Sequence, residues 1–351
     1  MRLLRALLAA VLLVSPAAAQ VISPSEMLRS SVSNFIRPQT KAFAARADEL
    51  TSAMGALCEN AMPVDLRLAQ DAFAKAAAAY GRVEFLRLGP LMDDNRADRI
   101  LFWPDRKGIG LRQVQQVLAE KDASATELEG LQGKSVAVQG FGALEFVLFG
   151  TGFEALTSPD GAFRCTYGQA ISQNLAQMAG EMSEGWADPE GIAKRLTQPE
   201  PGYSDYRTTT ESLETVVGLV SHGIESLRYT RINPFIAKGD GKANPKQALF
   251  WRSNQTIPML RANLDGLRGL IELSGIITDA TLSGKVSAAF DRAEAAADKV
   301  TLPVEQAVAD PAQAAALNDL VVATQELQRL IGEELSATLG LSVGFSSLDG
   351  D

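Results

Sequence analysis

The chain of 351 residues carries a formal charge of −9, is 46% apolar and is only 6% aromatic. An acidic chain of this kind repels phosphate backbones, so nucleic acid is excluded as a natural partner. The length suits one large folded unit or two of roughly 150 residues, and sparse aromatics with abundant alanine favour helix packed on helix.

Taken in chain order, the first segment reads as a secretory leader. Arg2 and Arg5 supply a basic start, and Leu3 to Val14 are apolar apart from Arg5. Ser15-Pro16 breaks that run ahead of Ala17-Ala18-Ala19, a small-residue cleavage site that would expose Gln20. The apolar run is shorter than the roughly 20 residues that span a bilayer, and no later stretch is longer. No cysteine follows the cleavage site to take a lipid. The expected location is therefore the periplasm or cell envelope, with residues 1–19 removed and no transmembrane segment.

Helical periodicity runs through the rest. Ser23-Pro24 makes an N-cap and first turn, and Phe43, Ala47, Leu50, Met54 and Leu57 recur at spacings of four, three, four and three. Pro38 is expected to kink or divide this first helix. Further helices are predicted at about 64–88, 110–121, 125–149, 163–187, 207–229, 245–273 and 279–299. A last stripe runs through Leu320, Ala323, Leu327 and Leu330. Gly89-Pro90, Ser158-Pro159-Asp160-Gly161, Pro199 to Gly202, Gly239-Asp240-Gly241 and Leu302-Pro303 punctuate them. No stretch alternates with period two long enough for a strand, so the predicted fold is all-α. The division predicted is an N-terminal helical bundle over 20–160, a C-terminal bundle over 161–340 and a polar tail over 341–351. Two short echoes, Leu101-Phe102-Trp103 with Leu249-Phe250-Trp251 and Gly142-Ala143-Leu144-Glu145 with His222-Gly223-Ile224-Glu225, have different offsets and do not establish a tandem repeat.

The two cysteines, Cys58 and Cys165, form a disulfide candidate in an oxidising compartment; two buried thiols are the alternative. The bridge would close a loop of about 108 residues, for which the chain-entropy account gives about 4–5 kcal/mol.

Val136 to Phe149 is the most informative segment, because only Gln139 and Glu145 in it carry polar side chains. A helix apolar all round lies inside a core. A carboxylate there must be paired, protonated or bound to a cation. Gly140 and Gly142 weaken the helix and point to close approach by another backbone or a ligand. Glu145 therefore reads either as a site carboxylate or as an ion-pair partner of Arg87, Arg99 or Arg106.

These residues carry a resemblance. Gly140-Phe141-Gly142-Ala143-Leu144-Glu145 resembles the G-x-H-x-x-E signature of the imelysin family. Tyr80 to Phe85 with Leu88-Gly89-Pro90, Phe102-Trp103-Pro104-Asp105-Arg106-Lys107-Gly108, and Gly110 to Gln115 are similar to further family segments in the same order. The resemblance extends over about 25–340, and Cys58 and Cys165 lie where similar members carry cysteines. It implies two packed helical bundles, export, a metallopeptidase classification and a link to uptake of iron or another divalent metal ion. The chain departs from the signature at Gly142, which replaces the histidine. Glycine supplies no imidazole, so only Glu145 of that pair carries over.

His222 is the sole histidine and stands three residues before Glu225, which puts both on one helix face. They read as a ligand pair or as an interface histidine beside a core stripe. One histidine excludes H-E-x-x-H zinc chemistry and leaves a Ser-His-Asp triad without support. Glu84 and Asp105, in the family-like segments, offer hard oxygens suited to Ca²⁺, Mg²⁺ or iron; capping and salt bridging are their other reading. The metal-ligand set expected on these grounds is Glu145, His222, Glu225, Glu84 and Asp105. The leading functional expectation is a non-catalytic protein that binds a metal ion or an envelope partner during metal uptake. An imelysin-type metallopeptidase and a metal-free helical interaction module are the alternatives.

Overall fold

The computed structural model describes residues 22–237, 239 and 241–342; the predicted leader and all of the tail beyond Ser342 lie outside the described residues. Helix dominates and no strand occurs among the described residues. We label the main helices α1 Pro24–Ser30, α2 Arg37–Asn60, α3 Pro63–Gly81, α4 Ile109–Glu120, α5 Phe141–Phe149, α6 Ala162–Ala187, α7 Thr209–Ser226, α8 Thr256–Ser274, α9 Ala280–Asp298 and α10 Pro311–Arg329.

Local chemistry sets the ends. Ser23 opens α1 with a capping box: its Oγ accepts from the Glu26 amide while Glu26 Oε2 accepts from the Ser23 amide. The first helix is divided just ahead of Pro38, which stands in the first turn of α2. A wide turn over Ser31–Ile36 precedes it, in which the Arg37 amide donates to the Val32 carbonyl five residues back. That extra residue accommodates a proline with no N–H of its own.

Three predicted helices are shorter than their periodicity implied. α3 stops at Gly81, where a Cβ would stand 2.9 Å from Met259 Sδ of α8. The stretch 125–149 is interrupted by non-helical backbone at Gly140 and only its last part is α5. The stretch 245–273 becomes helical at Thr256, since Phe250 and Asn254 take left-handed backbone with φ of 58° and 56°. Apolar periodicity cannot register such interruptions, because the side chains on either side remain buried.

α2, α3, α5 and α6 pack as one group, and α7, α8, α9 and α10 as a second, with α3 against α8 joining them. α6 lies beyond residue 160 yet packs along α2 and is bonded to it through Cys58–Cys165, with Cα atoms 5.4 Å apart. The proline-glycine cluster at 158–161 thus marks a turn within the first helix group. One apolar core runs from Met27 to Leu341. No helix among the described residues is long and apolar enough to cross a membrane.

Candidate functional site

α5 is held from below by aromatic rings. Phe141 lies 5.8 Å from both Phe73 and Tyr80, 6.3 Å from Phe43 and 6.2 Å from Phe250, centroid to centroid. Phe73 also stands edge-on to Phe250 at 5.4 Å. Such contacts exceed simple area burial by about 0.5–1.5 kcal/mol each. The same cluster therefore anchors both α5 and the turn 249–255 that faces it.

The glycines before Glu145 have separate causes. At Gly140 a Cβ would collide with the carbonyl oxygens of Arg99 and Ile100, so backbone meets backbone. At Gly142 nothing lies within 4 Å of an added Cβ. Gly142 borders a cavity of about 540 Å³, at whose wall Glu145 stands.

Glu145 is 5% exposed. The Ser253 amide donates to its Oε1 at 3.0 Å, and the Ser253 hydroxyl lies 3.0 Å from the same oxygen and 3.1 Å from the Phe250 carbonyl. Its Oε2 faces Arg252 Nη1 at 3.9 Å, beyond hydrogen-bond reach. Burial raises the Glu145 pKa above its ordinary value, and Arg252 and the Ser253 hydrogen bonds offset this only in part. The ion-pair partners expected from sequence were Arg87, Arg99 and Arg106. Arg99 instead bonds Gln139 and Asn174, Arg106 borders the cavity, and the cation at Glu145 is Arg252.

The turn that delivers Arg252 and Ser253 holds two non-glycine residues at positive φ. A bulky residue such as Phe250 adopts that backbone only when its surroundings impose it, at a cost of roughly 1–3 kcal/mol. The aromatic cluster provides that constraint. Both halves of the Leu-Phe-Trp echo reach this cavity: Phe102 and Trp103 line it, as do Leu249, Phe250 and Trp251. The echo was the available signal for Arg252 and Ser253, which sequence reasoning passed over.

The other predicted ligands lie in three settings. Asp105 borders the same cavity, but its Oδ1 accepts from the Ile109 amide at 2.7 Å and its Oδ2 from the Leu111 amide at 3.3 Å, at the start of α4. Glu84 forms an ion pair with Arg231 at 2.8 Å and accepts from Asn263 at 2.9 Å, tying the end of α3 to α8 and to the turn after α7. His222 and Glu225 do share one face of α7, and they line a different cavity, of about 430 Å³, beside α10. The five residues therefore do not converge. Among the described residues no group of three or more His, Cys, Asp or Glu side chains is placed to hold a metal ion. At Glu145 one oxygen is occupied by Ser253, the neighbouring charge is a guanidinium, and Gly142 offers no donor. This donor set does not fit a resident ion held by protein ligands alone.

The family model described as Imelysin matches residues 36–331. Two solved structures share the fold. One is an imelysin-like protein from Psychrobacter arcticum 273-4, with TM-score 0.74 and 22% identity over 92% of this chain and 98% of that one. The other comes from Parabacteroides distasonis ATCC 8503 and is named as an iron-regulated protein A precursor, with TM-score 0.70 and 15% identity over 90% of this chain and 98% of that one. At these identities the likeness concerns the fold alone. No curated protein is significantly similar in sequence.

Proposed function

This chain belongs to the imelysin family, and from that premise we propose that it is an exported, non-catalytic binding protein serving the uptake of iron or another metal in the cell envelope, with the Glu145 cavity as its binding site. One observation carries the reading: a buried carboxylate, held in place by Ser253, opens onto a cavity of about 540 Å³ that Gly142 leaves clear. Cavities of this size accommodate small ligands. The leader expected over residues 1–19 supports export to the periplasm, and the iron-regulated name of the Parabacteroides protein supports the setting.

The metallopeptidase alternative asks for a water-activating ion beside Glu145, and the residues around that carboxylate lack the ligands for one. Asp105, Glu84 and the His222–Glu225 pair are assigned here to helix capping, to an ion pair and to a separate cavity.

The test is genetic and enzymatic. A strain lacking the chain should grow poorly on iron-depleted medium. Wild type should restore growth, and Gly142→Trp, which fills the cavity from an open position, should not. Equal rescue by both proteins would remove the cavity from the function. Cleavage of an unfolded protein substrate, abolished by a chelator and by Glu145→Gln, would replace this reading with the peptidase one.

A further inference from the structure

The cavity walls say more than the buried carboxylate does. Arg106, Lys246 and Arg252 all border it, although the chain as a whole carries a charge of −9. Two acids border it as well, and neither presents a free charge to it. Both Asp105 oxygens accept backbone N–H groups at the start of α4, and the charge is met there by the positive end of that helix. Glu145 is buried, is bonded through Oε1 to Ser253 and faces Arg252.

Two of these cations remain unpaired. Arg106 and Lys246 are exposed, and no ion pair engages either among the described residues. Arg252 is half-buried, with its guanidinium 4.5 Å from the centre of the Trp251 ring and 5.6 Å from that of Phe146. Lys246 Nζ stands 5.6 Å from the same Trp251 ring. Two positive charges thus gather at one indole, at the edge of a cavity whose wall also includes Trp103 and Tyr229. A guanidinium fixed against aromatic faces is prepared to pair with a carboxylate or phenolate without further ordering.

We propose that the Glu145 cavity binds an organic anion with a flat apolar body, stacked among the aromatic walls and neutralised by Arg106 and Lys246, with the Arg252 guanidinium as a further hydrogen-bond donor. This rests on the reading of the same cavity as the binding site. It also accounts for the poor fit to a bare ion: a metal carried as an anionic aromatic chelate brings its own ligands and needs only charge and stacking from the protein. The free acid and its metal chelate share this chemistry.

Trp103 and Trp251 border the cavity while the third tryptophan, Trp186, is fully buried, so intrinsic fluorescence reports on it. The mature chain would be titrated with 2,3-dihydroxybenzoate, its ferric complex, the neutral 2,3-dihydroxybenzamide and ferrous ion alone. Saturable quenching by the acid or its ferric complex is expected, at least tenfold weaker for the amide. The double variant Arg106→Gln/Lys246→Gln changes exposed residues only and should also lose at least tenfold. Tighter binding of the ferric complex would identify the chelate as the source, and equal or tighter binding of the free acid would identify the acid. Equal binding of acid and amide, an unchanged double variant, or no saturable binding of either anion would overturn the proposal. Stoichiometric ferrous binding without anion binding overturns this inference while the metal-uptake reading stands; equal growth rescue by Gly142→Trp removes that reading itself.

Discussion

Gly140 and Gly142 stand two residues apart in one motif and answer to different constraints. Adding a methyl at Gly140 drives it into two carbonyl oxygens, while the same methyl at Gly142 meets nothing within 4 Å. Gly140→Ala should therefore destabilise by roughly 2–4 kcal/mol or prevent folding. Gly142→Ala should be neutral or stabilise by up to about 1 kcal/mol, as urea-unfolding midpoints would record. Glu145 makes a second prediction at this scale. Burial raises its pKa above the ordinary value of 4.5, against the opposing effects of Arg252 and Ser253. The folded state thus holds the proton more tightly than the unfolded chain, and this contribution is fully present below the ordinary value. It is lost as pH rises through the raised one. Glu145→Gln keeps an acceptor for Ser253 and removes that dependence, so its stability relative to wild type should improve from about pH 4 towards neutrality. Parallel pH profiles for the two proteins would refute the assignment. The buried carboxylate was legible in the sequence because an apolar run surrounds it. Its partner was not, because Arg252 lies 107 positions away and comes to Glu145 only through the fold.

Among the elements, α5 and the turn 249–255 depend on each other through the rings beneath them. Phe73 touches Phe141, Phe149 and Phe250, which belong to both. Phe73→Ala should cost about 3–5 kcal/mol, the usual range for a buried phenylalanine. Because it also frees a turn that holds two residues at positive φ, it should loosen the Ser253–Glu145 contact. Faster amide exchange at Ser253, beyond the change at amides in α9, would report that loosening. Equal acceleration at both places would show only global destabilisation. The interruption at Gly140 and the late start of α8 were invisible to periodicity for the same reason: each break keeps its flanking apolar residues in the core.

Across the whole molecule, the disulfide fastens α6 to α2 over a separation of 107 residues. Replacing both cysteines by serine should cost about 2–5 kcal/mol, seen as a lower unfolding midpoint with the helical circular-dichroism signal of the native state retained. A midpoint equal to that of the wild type under oxidising conditions would mean that the bridge adds nothing to the packing of α2 on α6. The two helix groups share one core through α3 and α8, and the ion pair of Glu84 with Arg231 lies at that junction together with Asn263.

The helical class, most of the long helices, the family and the presence of a buried carboxylate in α5 are legible without the fold. All of these follow from local spacing, composition or contiguous motifs. Tertiary structure alone decided that α6 joins the first helix group, that His222 and Glu225 face another cavity, and that Arg252 with Ser253 attends Glu145. Each of those depends on which distant segments meet, and the periodicity of a single helix carries no record of the helix or turn packed against it.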